Sequence, residues 1–171
     1  MERNKLQFSQ GFTLIEMLVY TAIFAVMVSA LAAFMATLSQ SRLRSQAAME
    51  VNEQGAEVLR VITQNLRNAT AINSPIVGAA ASSISINTLT ASTTPTTFAL
   101  SNGVIYMTQG VNPALALTNN RVSASNLSFV NLSRASTAGA AKVSFSLTAV
   151  SSSTQAQYNY SGNFYGSGTL R

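Results

Sequence analysis

The sequence lacks the side chains on which most catalytic and metal-binding sites depend. It contains no cysteine, no histidine, no tryptophan and no aspartate. Its five carboxylate side chains are all glutamates: Glu2, Glu16, Glu50, Glu53 and Glu57. Zinc needs Cys or His ligands, and calcium needs several oxygen ligands that are usually carboxylates. We therefore expect no metal site and no cofactor.

The same scarcity excludes most enzyme classes. After Pro75 the charged side chains are four cations: Arg121, Arg134, Lys142 and Arg171. General acid–base and nucleophilic catalysis require a base or an activated nucleophile, and the many hydroxyls of this half have no base beside them in the sequence. We predict that the chain is not an enzyme. The formal net charge of +5 is modest, and the absence of cysteine leaves the compartment undetermined because disulfides outside the cell are permitted but not required.

A long apolar segment begins near the N-terminus. Residues 17–38 form 22 consecutive positions without a charge, and about 20 such residues span a bilayer as a helix. Glu16 lies just before this run. An unpaired carboxylate in hydrocarbon is costly, so an acid at this position indicates a function and a specific partner. We predict a membrane-spanning helix over residues 12–38, preceded by a short polar segment, residues 1–11.

Residues 39–75 continue as a predicted amphipathic helix, which extends to about Ile72 and ends at Asn73-Ser74-Pro75. Glu57 and Arg60 are spaced to form an i, i+3 ion pair, and Gly55 marks a bend or a tight contact. Apolar residues recur every three or four positions and form one stripe: Leu43, Ala47, Val51, Gly55, Leu59, Ile62, Leu66 and Ala69.

Residues 76–171 are rich in Ser and Thr and contain short alternating runs typical of strands. Asn102-Gly103 between two apolar runs predicts a type I′ hairpin, and Gly162-Asn163 is a candidate turn between the last two strands. The predicted strands fall in residues 83–89, 97–108, 125–132, 143–150 and 155–160. An antiparallel sheet with one packed face would lie on the apolar stripe of the helix. The predicted fold class is α+β, with a long N-terminal helix packed against a C-terminal antiparallel β-sheet head.

The segment G-F-T-L-I-E, residues 11–16, followed by a charge-free apolar run, resembles the cleavage and methylation motif of type IV prepilins and type II secretion pseudopilins. The resemblance implies a leader over residues 1–11 that a prepilin peptidase cuts after Gly11. Phe12 would become the methylated N-terminus. Glu16 would remain as an assembly residue, whose carboxylate pairs with the Phe12 amine of a neighbouring subunit. The remainder of the chain resembles minor pilins and J-type minor pseudopilins, with a major pilin or a competence-type pseudopilin as alternatives.

The resemblance also implies partners and a location. The partners would be other pilin or pseudopilin subunits, the peptidase, a membrane assembly platform protein and, before assembly, the lipid bilayer. The chain would cross the bacterial inner membrane once with its N-terminus inside, and would lie in an extracellular or periplasmic filament afterwards. Motility or adhesion, protein secretion and DNA uptake all remain open as the machine that the filament serves.

Two other functions compete with a filament subunit. The first is a tip module that binds DNA or a surface through cations that face no acids (Arg121, Arg134, Lys142 and Arg171) and late aromatic residues (Tyr158, Tyr160, Phe164 and Tyr165). Four dispersed cations give little phosphate affinity, and aromatic residues in alternating strands are usually core. The second is a generic membrane-anchored extracellular protein, which would keep its N-terminus intact.

Overall fold

The computed structural model describes residues 11–134, 139–150 and 160–171. They form one α-helix, α1 (Leu14–Arg67), a short 3₁₀ helix (Ala91–Thr93) and nine strands. The strands are β1 (Ala69–Ser74), β2 (Ala80–Ala81), β3 (Ser83–Thr88), β4 (Thr96–Ser101), β5 (Val104–Gln109), β6 (Leu115–Ala116), β7 (Val122–Asn131), β8 (Ala140–Ala149) and β9 (Ser161–Thr169). The chain divides into two compact units between Ser41 and Arg42, and the second unit is called the head below.

The N-terminal unit contains the apolar part of α1. Its large apolar side chains are exposed throughout the run from Leu14 to Leu38. Three hydroxyls of this run, those of Thr21, Ser29 and Thr37, donate to the carbonyl oxygen three residues earlier, at 2.9, 2.8 and 2.8 Å respectively. Polar groups that are satisfied within the helix add little cost in an apolar surrounding. This part of α1 is long and apolar enough to cross a membrane.

The head consists of the C-terminal part of α1 and two antiparallel sheets. One sheet has the strand order β1-β3-β4-β5-β6, and the other has the order β2-β7-β8-β9. Both sheets and the helix contribute to one buried apolar cluster, whose largest side chains are Phe98, Phe129, Phe145, Ile62, Leu66, Ile84, Ile86, Ile105 and Leu147. The sequence predicted a single sheet. The structure confirms the α+β class and the antiparallel pairing, with the strands divided between two sheets.

The predicted apolar stripe is the face of α1 that packs in the head. Four members of the predicted stripe are buried within α1: Val51, Gly55, Ile62 and Leu66. Val58, which the prediction did not include, is buried with them, and Leu59 is half-buried. Gly55 marks a tight contact, because the ring of Phe164 on β9 occupies the position that a Cβ at Gly55 would take. Leu43, the first residue of the predicted stripe, is not buried, since its side chain is 39% exposed. The helix therefore packs against the head from about Ala47 onward.

The predicted Asn102-Gly103 hairpin joins β4 to β5. Both residues have positive φ, +48° and +76° respectively, as a type I′ turn requires. A Cβ at Gly103 would lie 2.6 Å from Ser123 Oγ. The six-residue register from Thr96↔Gln109 to Ser101↔Val104 is regular. Glycine is thus needed here both for its conformation and for space.

Two predictions of secondary structure are wrong. Helix α1 ends at Arg67, not near Ile72, and residues 69–74 form β1, which pairs with β3. The β-branched residues Thr70 and Ile72 suit a strand, and the pairing supplies backbone partners that an isolated last helical turn would lack. Gly162 and Asn163 are not a turn. They lie inside β9, opposite Leu147 and Ser146 of β8.

The other predicted strands are confirmed, with boundaries shifted by a few residues. Residues 83–89 contain β3, residues 125–132 overlap β7, and residues 143–150 overlap β8. The candidate strand at 155–160 lies outside the described residues except for Tyr160.

Candidate processing and assembly site

The start of α1 is fixed by Thr13. The Glu16 backbone N–H donates to Thr13 Oγ1 at 3.3 Å, and the Met17 N–H donates to the Thr13 carbonyl at 3.2 Å. A threonine three residues before a glutamate is the spacing of a capping box. The helix therefore begins at Leu14, and Gly11 and Phe12 precede it in non-helical backbone.

Glu16 has a partner within the chain. Its Oε1 accepts a hydrogen bond from Tyr20 Oη at 3.2 Å. The Tyr20 ring also meets the Phe12 ring edge to face, with centroids 6.3 Å apart and planes at 79°. Tyr20 thus contacts two of the three residues of the predicted site, Glu16 and Phe12. The sequence analysis missed it, although its i, i+4 spacing from Glu16 could have indicated the contact.

The carboxylate of Glu16 lies in the first turn of the helix. Free backbone N–H groups and the helix dipole favour a negative charge there. Its partner in the chain is a neutral hydroxyl, which accounts for one hydrogen bond and supplies no positive charge. The carboxylate therefore keeps the capacity to bind a cation, because an ionised carboxylate has about four lone-pair sites.

Gly11 and Phe12 are open to an external reagent. Both residues are exposed, Phe12 to 71%. A Cβ added at Gly11 would meet no atom within 4 Å. Nothing in the described part of the chain therefore requires a glycine at residue 11 on grounds of space.

The apolar surface around Glu16 is extensive. Its members are exposed large side chains on every face of the helix: Leu14, Ile15, Met17, Leu18, Val19, Tyr20, Ile23, Phe24, Val26, Met27, Val28, Leu31, Phe34, Met35 and Leu38. Proteins in water rarely expose contiguous apolar patches larger than a few hundred Å². This surface is suited to being covered by lipid or by other apolar helices.

The cations of the head do not form the site that the DNA-binding alternative requires. That alternative assumed cations that face no acids, which is wrong for Arg121, whose Nη1 lies 3.6 Å from Glu50 Oε2. Glu50 Oε1 also accepts a bond from Asn119 Nδ2 at 2.6 Å, which ties α1 to the segment before β7.

The predicted Glu57–Arg60 ion pair is confirmed. Arg60 Nη2 and Nε donate to the two carboxylate oxygens at 2.7 and 2.9 Å. This bidentate hydrogen bond, aided by the positive charge of Arg60, lowers the pKa of the Glu57 carboxyl below its ordinary value of 4.5. The same contact raises the pKa of Arg60. The pair is exposed, so it contributes little to stability.

The late aromatic residues do not form one binding surface. Phe164 stacks on Phe145 of the core, with centroids 5.3 Å apart and planes at 20°. Tyr160 packs against the core, and Tyr158 lies outside the described residues. Tyr165 is 65% exposed and shares a shallow cleft with Lys142. Of the eight residues that the DNA-binding alternative named, the structure thus brings together one aromatic residue, Tyr165, and one cation, Lys142.

In the described ranges no group of three or more His, Cys, Asp or Glu side chains is placed to hold a metal ion. Every buried side-chain polar atom of these ranges has a hydrogen-bond partner within the chain. The polar interior of the described head is therefore satisfied without a ligand.

Comparison with protein families matches residues 7–32 to the family described as the prokaryotic N-terminal methylation motif. No curated protein and no solved structure matches the chain significantly. The matched segment contains Gly11, Phe12, Thr13, Glu16 and Tyr20 together with most of the apolar run. The motif belongs to structural pilins and to no enzyme family. The motif and the apolar helix are both consistent with anchoring in the inner membrane. Residues 7–32 of this chain therefore carry the prokaryotic N-terminal methylation motif, and this motif supports the resemblance to type IV prepilins and pseudopilins.

Proposed function

We propose that this chain is a structural subunit, of the minor class, of a type IV pilus or of a type II secretion or competence pseudopilus. The observation that carries the proposal is one carboxylate in the first turn of an exposed apolar helix, within the matched methylation motif. In this proposal residues 1–11 are the leader, residues 12–38 are the membrane-spanning and later filament-core segment, residues 39–75 contain the amphipathic part of the helix, and residues 76–171 supply the rest of the head.

Processing uses the bond between Gly11 and Phe12. A prepilin peptidase binds the exposed, non-helical segment Gly11-Phe12, cuts after Gly11, and the new Phe12 amine is methylated. Two features support this step: the segment is accessible, and no contact within the described chain explains a glycine at residue 11. The leader is cut on the cytoplasmic side, so the N-terminus is inside and the head outside.

Assembly uses Glu16 and the new amine. Cleavage creates a positive charge at Phe12, four residues before Glu16, and each subunit then carries one cation and one anion at the start of its helix. Within the apolar core of a filament, the Glu16 carboxylate pairs with the Phe12 amine of a neighbour. Two charges that are costly alone satisfy each other. The axial register that pairs them is thereby favoured over registers that leave them unpaired.

The rest of the helix supplies the energy of assembly. Before assembly, lipid covers the exposed apolar side chains of residues 14–38. After extraction by the platform protein, the same side chains cover those of neighbouring helices. Burial from water stabilises by about 25 cal/mol per Å² of apolar surface, so a subunit outside lipid is strongly driven into the filament.

The first experiment is the intact mass and N-terminal sequence of the full chain from membranes of cells with and without prepilin peptidase. We expect loss of residues 1–11 and gain of one methyl group on Phe12 only where the enzyme is present. Gly11→Val should leave the chain intact. An unprocessed Met1 in cells with active peptidase would contradict the proposal.

A second experiment separates assembly from processing. Glu16→Gln keeps an acceptor for Tyr20 but removes the charge, and it should be processed normally. Breaking a buried pair costs about 3–5 kcal/mol, and 1.4 kcal/mol is tenfold, so its incorporation into sheared filaments should fall by about a hundredfold or more. Tyr20→Phe, the matched control, keeps the charge and the ring and should be incorporated within a fewfold of wild type. Equal incorporation of the two variants would exclude a charge pair at Glu16.

A further inference from the structure

The two sheets of the head have four edge strands, and one differs from the others. Strands β2 and β6 have two residues each, and β1 has two irregularities in its register with β3. Short or irregular edges resist pairing with another chain. Strand β9 has nine residues, pairs with β8 without a register shift, and contains no proline and no charged residue. It is the one long, regular edge among the described strands.

The backbone hydrogen bonds show which groups of β9 point to the open edge. The Leu170 N–H donates to the Gly139 carbonyl at 2.7 Å, and the Tyr160 carbonyl accepts from Ala149 at 2.8 Å. Even-numbered residues of this strand therefore direct their N–H and C=O groups toward β8, since antiparallel pairing alternates. The outward groups belong to odd-numbered residues that are all exposed: Ser161, Asn163, Tyr165, Ser167 and Thr169.

This outward edge is free for most of its length. Among the described residues, no other backbone or side chain hydrogen-bonds the backbone groups of residues 161, 163, 165, 167 and 169 on that side. At the C-terminal end, the Arg171 N–H donates to the Ala69 carbonyl at 3.3 Å. Within the described ranges, the strand therefore has unpaired outward backbone groups at five residues before it reaches the start of β1.

A groove lies between this edge and α1. It has a volume of about 480 Å³ and is lined on the helix side by Leu59, Arg60 and Arg67 among others, and on the strand side by Tyr165 and Ser167. The inward glycines keep the strand close to the helix: a Cβ at Gly166 would lie 2.8 Å from Leu59 Cδ2.

The charge around the groove is positive. Arg60 is paired with Glu57, but Arg67 lines the groove and Lys142 lines the adjoining cleft on the other side of Tyr165. Glu57 is the last acidic side chain in the sequence, so neither β8 nor β9 supplies a carboxylate side chain to offset these cations. An incoming chain would meet donors and acceptors along its backbone and cations on both flanks.

We propose that the outward edge of β9 binds an extended, acidic segment of a partner protein, which adds a strand to the sheet. Its backbone would pair with the outward groups of Asn163, Tyr165 and Ser167, in the way that added strands bind sheet edges elsewhere. Its acidic side chains would face Arg67 and Lys142. A second copy of β9 suits the edge less well, because antiparallel self-pairing would bring these same cations of two copies together. The proposal uses neither Gly11 nor Glu16 and does not depend on filament assembly.

Hydrogen exchange in the free full chain, in detergent micelles, tests whether the edge is open. We expect the amides of Asn163, Tyr165 and Ser167 to exchange at least tenfold faster than those of Phe164 and Gly166, which pair with β8. Equal protection of the two sets would show that the edge is already covered and would overturn the proposal.

Peptide binding tests the partner chemistry. The probe is an eight-residue peptide with the repeat Glu-Glu-Val-Val, which places glutamates on both faces of an added strand, and the control has lysine in place of glutamate. We expect the acidic peptide to bind the full chain at least tenfold more tightly than the basic one and to slow exchange at Asn163, Tyr165 and Ser167. Absence of binding at millimolar peptide, or equal binding of both peptides, would overturn the proposal.

Variants at one position separate edge pairing from simple charge attraction. Ser167→Pro removes an outward N–H without removing a bond to β8, and proline is tolerated at such edge positions. Ser167→Pro should weaken the binding of the acidic peptide at least tenfold, whereas the affinity of Ser167→Thr, the matched control, should stay within twofold of wild type. If Ser167→Pro disturbs the fold by circular dichroism, Arg67→Glu at an exposed position provides the second test, and it should invert the preference between the two peptides.

Two results would identify a different occupant of the β9 edge. Self-association of the wild type in sedimentation that Ser167→Pro abolishes would assign the edge to a second copy. Tighter binding of a single-stranded oligothymidine than of the acidic peptide, with protection at Tyr165, would assign the surface to nucleic acid. Either result would overturn the proposal.

Discussion

Gly55→Ala should change the stability of the head in opposite directions depending on what stands at residue 164. Gly55 is buried in the middle of α1, and the end of the Phe164 ring occupies the position of a Cβ at residue 55. In the wild-type background the added methyl group forces the ring to move. In a Phe164→Ala background the obstacle is absent, and only the helix propensity of alanine remains.

The two contributions have comparable size and opposite sign. Alanine stabilises a helix interior by about 1 kcal/mol relative to glycine. Overpacking a core typically costs about 1–3 kcal/mol, and displacement of Phe164 also weakens its stack on Phe145, worth about 0.5–1.5 kcal/mol. We expect Gly55→Ala to destabilise the wild type by about 1–2 kcal/mol. In the Phe164→Ala background it should stabilise by about 1 kcal/mol, which gives a coupling of about 2–3 kcal/mol.

The assay is thermal unfolding of the full chain in detergent, followed by near-ultraviolet circular dichroism of tyrosine and phenylalanine, since the chain has no tryptophan. For a unit the size of residues 42–171, 1 kcal/mol corresponds to about 3–5 °C. Gly55→Ala should lower the midpoint by about 3–10 °C alone and raise it by about 3–5 °C in the Phe164→Ala background. A change of the same sign in both backgrounds would refute the assigned contact between residues 55 and 164.

The polar contacts of the helix give two further predictions. Asn119→Ala should lower the free energy of unfolding by about 1–2 kcal/mol, because its hydrogen bond to Glu50 is short and part-buried and charge-assisted bonds are among the stronger ones. Arg121→Ala, the control at the more distant and exposed contact, should cost less than about 1 kcal/mol in the same thermal assay. The lowered pKa of Glu57 means that its pair with Arg60 stabilises the head above pH 4.5, and that this contribution is lost as pH falls through the pKa in the folded state. Glu57→Gln should therefore lower the unfolding midpoint slightly at pH 7, and the difference should vanish well below pH 4.5; a difference that persists there would contradict the ion pair as its cause.

Elements that depend on local spacing could be predicted from the sequence. The apolar stripe of α1, the Asn102-Gly103 hairpin and the Glu57–Arg60 pair all depend on residues within a few positions of each other. The end of the helix could not be predicted in this way. Residues 69–74 suit both a last helical turn and a strand, and pairing with β3 decides between them. Such pairing joins residues that no short sequence window contains together.

The candidate site shows the same division. Gly11, Phe12 and Glu16 were identified from a contiguous motif, and the family comparison matches the segment that contains them. Tyr20 was missed because its role depends on two contacts at once, one to a carboxylate and one to a ring. Arg121 was misjudged because its acid, Glu50, is 71 positions earlier in the chain and is brought near it only by the fold.

The outward edge of β9 could not be predicted from the sequence, although the residues that form it are plain in the sequence. The residues of β9 read as an ordinary alternating strand, and even the Gly162-Asn163 pair suggested a turn. What makes the strand available is its place at the end of a sheet, with β8 on one side only. Strand order is a property of the whole fold, and so is the closeness of Arg67 and Lys142 to the edge. The absence of acids after Glu57 becomes informative only with this strand order. The order leaves two cations beside the outward backbone of β9, and neither β8 nor β9 supplies a carboxylate side chain to pair with them.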